Sequence, residues 1–226
     1  MCTGWSKGGK TETLLAFAAH GATYVGDEWL YVEPDGSRVH GIPEPIRVWD
    51  WHLAQLDDVR ASLSARDRRR LAALRVARRA GDAARGRAAR VADRVLPLLE
   101  TQLHVDVPPA TLFGGQLGSM TAPFDRLFLV LSAEVDETTT EPVDPAEVAA
   151  RMAASLAYER LPFLGWYHTF RYAFPDAVNT VVEDADDRER KLLGDVFAGK
   201  PAHAVVHPYP VEIASLHDAI SPLLHP

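Results

Sequence analysis

The hydrophobic positions of this chain follow two periods in turn, and the points where the period changes mark its elements. Residues 11–20 are helix formers throughout, with Leu14, Phe17 and Ala18 spaced i, i+3, i+4 on a stripe predicted to be buried. Gly21 sits where a helix C-terminal glycine belongs. The period then shortens, and Ala22-Thr23-Tyr24-Val25-Gly26 reads as a short strand ending at Asp27-Glu28. Trp29-Leu30-Tyr31-Val32 and residues 38–48 flank the turn residues Glu33-Pro34-Asp35-Gly36-Ser37, which predicts a β-hairpin. Its second arm is broken by Gly41-Ile42-Pro43-Glu44-Pro45 and reads as an edge strand or a loop.

The second half repeats the alternation. Leu127-Phe128-Leu129-Val130-Leu131 has the length and continuity of a buried strand. Asp144-Pro145-Ala146-Glu147 then supplies an N-cap, a proline at the first helical position and an acid at the third, opening a helix to about Leu161. The aromatic stretch Pro162-Phe163-Leu164-Gly165-Trp166-Tyr167-His168 is expected between that helix and a strand. A helix from about Asp184 to Phe197, closed by Gly199, a strand over Ala202-His203-Ala204-Val205-Val206 and a last helix from Val211 to Ile220 complete the pattern. Strand–helix pairs of this kind build a layered α/β sheet, and no internal repeat is present.

Between the halves the composition changes. From Asp57 to Arg94 lie 12 of the 24 basic residues, all arginine, against five aspartates, so this segment carries +7 and the remainder −14. Leu63, Leu71 and Leu74, then Val91, Val95, Leu98 and Leu99, mark two helices with Gly81 and Gly86 between them. The expectation is one domain over 1–226 with 57–103 as a helical insertion. A basic helical face suits a nucleic acid, an acidic peptide or another anionic partner, whereas a solvated hairpin that balances the acidic body explains the same charge; the second reading is favoured, and nucleic acid is not the expected partner.

Gly4-Trp5-Ser6-Lys7-Gly8-Gly9-Lys10-Thr11 fits the G-x-x-x-x-G-K-[ST] pattern of a phosphate-binding P-loop, and the predicted helix follows it directly. Glycines let the backbone turn its N–H groups toward phosphate oxygens, Lys10 reaches the β- and γ-phosphates, and Thr11 offers its hydroxyl to Mg²⁺. The nucleotide-binding set is therefore Gly4, Ser6, Lys7, Gly8, Gly9, Lys10, Thr11 and Glu12, with ATP and Mg²⁺ as the expected ligands. Such a loop needs a strand to deliver it, yet only Met1, Cys2 and Thr3 precede Gly4, so the lead-in strand is expected to be missing. A glycine-rich surface turn is the competing reading.

Functional groups in open α/β sheets gather at the carboxyl ends of strands, where Asp27 and Glu28 are predicted to lie. There they could serve as the general base for an incoming hydroxyl and as a metal ligand; a solvated acidic turn is the alternative. The stretch GKTETLLAFAAHGATYVGDE resembles HPr kinase/phosphorylase, in which a P-loop ending GKSE is followed by a helix, a glycine, a short strand and an acidic pair. The resemblance covers roughly residues 1–33 and includes the spacing from Lys10 to Asp27. It implies a P-loop kinase-like fold, Asp27 as the base that takes the proton of a protein serine, Lys10 as its catalytic partner, and Glu28 at the second acidic position, normally Asp, beside the metal held by Thr11. The histidine that the family carries upstream of its loop has no counterpart among the residues before Gly4.

Other groups are candidates of the same chemistry. Arg160 or Arg171 would stabilise charge on a transferring phosphoryl group, or form surface ion pairs. His207 ends a predicted strand and either approaches the site or makes a turn with Pro208. Trp49, Trp51 and His52 cap a sheet edge or offer a stacking platform, and the loop 41–45 passes near the nucleotide. No run approaches the roughly 18 apolar residues of a membrane helix, and a signal-peptide core is absent. Cys2 is the single cysteine, which rules out an internal disulfide and makes a cytoplasmic location the default. The readings that remain are an ATP-dependent protein or peptide serine kinase, a nucleotide-dependent ATPase or switch, and a degenerate P-loop protein without turnover; a homo-oligomer is compatible with each.

Overall fold

The apolar run at Leu127 becomes a strand with a partner on each side, the placement that a run without polar alternation requires. The computed structural model describes residues 1–224, apart from the side chain of Arg87. In chain order its elements are β1 (Cys2–Thr3), α1 (Lys10–Ala19), β2 (Leu30–Val32), β3 (Arg38–Gly41), β4 (Ile46–Trp49), α2 (Asp50–Leu53), α3 (Asp57–Ser62), α4 (Ala65–Asp82) and α5 (Arg87–Glu100). They continue with β5 (His104–Val107), α6 (Pro109–Leu112), β6 (Thr121–Pro123), β7 (Leu127–Ser132), β8 (Thr139–Pro142), α7 (Pro145–Ala173), α8 (Thr180–Glu183), α9 (Ala185–Phe197), β9 (Ala202–His207) and α10 (Ile213–Ile220). The fold is mixed α/β.

The main sheet has the order β1-β7-β9-β8, with β1 and β9 parallel to β7 and β8 antiparallel to β9. Side chains alternate across it. Phe128 and Val205 enter a core with Leu15 of α1 and Leu216 of α10, while Leu127 and Leu129 pack with Val148 of α7 and Phe197 of α9. Helices therefore cover both faces. A small antiparallel sheet, β2-β3-β6, and a two-strand ladder, β4-β5, pack beside these layers. Because β4 and β5 pair directly (Ile46 with Val107, Trp49 with His104), α3, α4 and α5 leave and rejoin the body between neighbouring strands.

Several sequence expectations need correction. The lead-in strand is present: Cys2 and Thr3 pair parallel with Phe128 and Leu129, the Phe128 N–H donates to the Met1 carbonyl (2.9 Å), and the Met1 amine donates to the Arg126 carbonyl (2.8 Å). Two residues suffice because both ends of the segment are pinned. Residues 22–26 do not form a strand. Val25 instead crosses so close above Gly41 that a Cβ there would overlap its carbonyl oxygen, and this crossing replaces strand pairing. The hairpin forms, but β3 is its sheet's central strand rather than an edge. In α1 the fully buried residues are Thr13, Leu15 and Ala16, with Leu14 and Phe17 partly buried beside them.

Helix α4 passes through Gly81, and α7 runs 29 residues through Pro162 instead of stopping near Leu161. Proline removes one helical hydrogen bond, but packing overrides the break. Arg160 is bound by Asp186 and Glu189 of α9, and the Tyr167 hydroxyl donates to Glu183 (2.8 Å), so α8 and α9 brace both sides of the proline. The aromatic stretch is thus helical.

The crossing at Gly41 makes a sharp prediction, since it carries the chain into Asp27. Gly41→Ala should destabilise the protein by about 3 kcal/mol, the cost of overpacking against backbone, in urea unfolding. A change within ~0.5 kcal/mol would contradict the close approach.

Candidate functional site

Strands β1, β7 and β9 are parallel, so the loop after Thr3, Ser132 and His207 all emerge at one end of the main sheet. The loop 4–9 bends through left-handed backbone at Lys7 (φ 61°) and Gly9 (φ 105°), and the Gly8 N–H donates to the Trp5 carbonyl (3.0 Å). It sits tightly on its neighbours. A Cβ at Gly4 would overlap the Val130 carbonyl, and one at Gly9 would overlap the His207 ring, so the glycines serve close approach as well as conformation. His207 is 1% exposed, with Nε2 2.9 Å from the Gly8 carbonyl oxygen and Nδ1 2.8 Å from that of Pro208.

Gly9 caps α1 without a side-chain acceptor, and the first intrahelical bond runs from the Thr13 N–H to Gly9 O (2.9 Å). The opening N–H groups of the helix therefore face the loop mouth, where an anion is favoured. Lys10 Nζ donates to the carbonyls of Gly4 and Trp5, 2.9 Å each, folding back over the loop. Ser6 and Lys7 are exposed at its tip, and Thr11 is half-buried in the first turn.

Glu12 faces inward, which the sequence did not indicate. His52 Nδ1 accepts the Trp49 N–H (3.2 Å), so Nε2 carries the ring proton and donates to Glu12 (3.1 Å). Burial pushes the Glu12 carboxyl up, but the His52 hydrogen bond and its own backbone N–H outweigh that and hold it below its ordinary range. His52 is thus a buried brace for α1, not a stacking surface.

The acidic pair lies near enough to Lys10 to act on its charge, without an ion pair to it among the described residues. Burial lowers the Lys10 ammonium from its usual range although the carboxylates of Glu159, Asp27, Glu12 and Glu28 all favour its charge. Asp27 is pushed up to about 6, first by burial, then by Glu28 and Glu44, against the pull of Lys10. Glu44 lies in the β3–β4 loop and accepts the Trp29 N–H (3.2 Å), which fixes the turn after Glu28. Tyr24, buried with an unpartnered hydroxyl, is pushed up to about 12 by burial, Asp27 and Glu44. Glu44 and Glu159 escaped sequence reasoning because each arrives from a distant element; the loop containing Glu44 had been expected near the site, without its acid.

Two candidates are excluded from this group. Arg160 is tied to Asp186 and Glu189, and Arg171 lies 3.2 Å from Glu183, so both are structural ion pairs at the far side of α7. Among the described residues no cluster of three or more His, Cys, Asp or Glu side chains could hold a metal unaided. The residues expected to hold a Mg²⁺ arriving with phosphate oxygens and its own waters are Thr11 and Glu28, since such an ion requires only one or two protein ligands. An open depression of about 520 Å³, lined by residues 132–136, Pro208 and Tyr209, adjoins the carboxyl ends of β7 and β9. Compared with known proteins, the chain matches no family model, no curated protein and no solved structure.

A carboxyl group that ionises less readily folded than unfolded costs stability once it is charged. Asp27 holds its proton more tightly in the native state, so its contribution falls as pH rises from about 4 through about 6. Asp27→Asn should therefore stabilise the protein by about 1–2 kcal/mol at pH 8 and by little at pH ~3.5, measured by thermal or urea unfolding.

Proposed function

We propose that this chain is an ATP-dependent phosphotransferase related in its site to HPr serine kinase, transferring a phosphoryl group to a serine or other hydroxyl of a protein or peptide. The observation that carries the reading is the convergence on Lys10 of a glycine loop at a helix N-terminus and of the acidic pair Asp27-Glu28.

In this reading the loop N–H groups and the positive end of α1 hold the phosphate oxygens, and Lys10 exchanges the Gly4 and Trp5 carbonyls for them. Thr11 and Glu28 would hold Mg²⁺, whose charge would offset the one that develops on the transferring group. Asp27 accepts the hydroxyl proton. With a value of about 6 it is ionised at neutral pH yet basic enough to draw the proton, the compromise a general base needs. His207 and His52 support the loop and the helix without touching the reacting groups.

Incubation with γ-labelled ATP, Mg²⁺ and a serine peptide library should give phosphopeptide, with an acidic limb near pH 6 below which activity is lost. Asp27→Asn should lower kcat by roughly 10²–10⁴ and abolish that limb. Undiminished transfer by the variant would remove Asp27 from the mechanism. ATP hydrolysis without any phosphorylated product would favour an ATPase or switch.

A further inference from the structure

Two helical faces of this chain are apolar, exposed and of opposite surrounding charge. On α5, Val91, Val95 and Leu98 fall at i, i+4 and i+7 and are 64%, 41% and 66% exposed. The opposite side of that helix is used: Leu96 packs on Gly81 of α4. Arg90 and Arg94 flank the stripe, and neither enters an ion pair among the described residues. Residues 65–94 hold eleven arginines against three aspartates.

The second face is on α7. Phe163, Trp166 and Phe170 repeat at i, i+3 and i+7 and are 53%, 77% and 46% exposed. The rings of Phe163 and Phe170 flank that of Tyr167, with Phe163–Tyr167 and Tyr167–Phe170 centroids both at 6.5 Å. Of the six acids in the adjoining residues 174–189, Glu183, Asp184, Asp186 and Glu189 pair with Arg171, Arg188 and Arg160. Asp176 and Asp187 take part in no ion pair among the described residues. Contiguous apolar patches with charged rims mark interaction surfaces, and the exposure of both faces means that neither covers the other within one copy.

We propose that these faces dock on each other between two copies, the arginine-rimmed stripe of α5 against the acid-rimmed aromatic face of α7. A nucleic acid satisfies the arginines but leaves the apolar stripe without a partner, whereas the α7 face supplies both apolar and anionic complements. The contact is head-to-tail, because each copy presents both halves at different places on its surface. It does not depend on the reading of the nucleotide site.

Sedimentation velocity of the full chain up to about 100 μM should show association that weakens at least tenfold between roughly 50 and 500 mM NaCl. Leu98→Asp and Trp166→Ala, both at exposed positions, should each be monomeric. Mixed together they should form a heterodimer, since one keeps an intact α7 face and the other an intact stripe. Circular dichroism verifies folding, and Arg90→Glu with Arg94→Glu replaces Leu98→Asp if that variant unfolds. A wild-type chain that stays monomeric at low salt, or variants that fail to complement, would overturn the proposal. Monomeric binding to phosphatidylserine vesicles or to an RNA oligonucleotide through Arg90 and Arg94 would also overturn it, assigning the stripe to that ligand.

Discussion

Half of the residues in the loop between β1 and α1 are glycines, Gly4, Gly8 and Gly9, so the sheet beneath must do much to hold it. Gly4 rests on the Val130 carbonyl and Gly9 on the His207 ring, while His207 meets the Gly8 carbonyl at 2.9 Å. These contacts need β1, β7 and β9 to be parallel neighbours, since only then do the chain after Thr3, Val130 and His207 lie toward the same end of the sheet. A larger side chain at Gly4 or Gly9 would lift the loop and turn the first N–H groups of α1 away from its mouth. Much of the fold can be understood as support for this approach: β1 is pinned at Met1, and Thr3 meets the Met152 sulfur on α7.

Charge is the second constraint. One ammonium, Lys10, stands among carboxylates from α1, α7 and the segment after Val25. Such crowding is unfavourable in an empty site, and Asp27 registers the cost by holding its proton to about pH 6. Sites that store this kind of cost are typically built for a ligand that relieves it. Phosphate oxygens with a divalent cation would do so, because the cation offsets the acids while the anion meets Lys10 and the helix terminus. Glu12 stands outside the conflict, since His52 already satisfies it.

The loop motif, the helix after it, the hairpin and the central strand were legible because each is a local pattern. The Asp144 cap is present as the residues suggested, its side chain accepting the Ala146 N–H at 2.8 Å. What could not be read depends on distant partners. A two-residue strand carries no periodicity, so β1 was invisible; it exists because β7 offers it a ladder. Residues 22–26 have strand composition but lie across Gly41 rather than beside another strand. Pro162 should end a helix and does not, because α8 and α9 hold both sides of it. At the site, the glycine-loop pattern points to Lys10 and Thr11 and the likeness to HPr kinase to Asp27 and Glu28, whereas Glu44, Glu159 and the brace of His52 emerge only from tertiary structure.

In the proposed reading the loop held on β7 and β9 is an anion site completed by Lys10. Titration calorimetry with ATP and Mg²⁺ tests it without assuming turnover. One nucleotide should bind per chain, with affinity lowered at least about tenfold by Lys10→Ala. A folded wild-type chain that binds no ATP, or binds it equally well without Lys10, would contradict it.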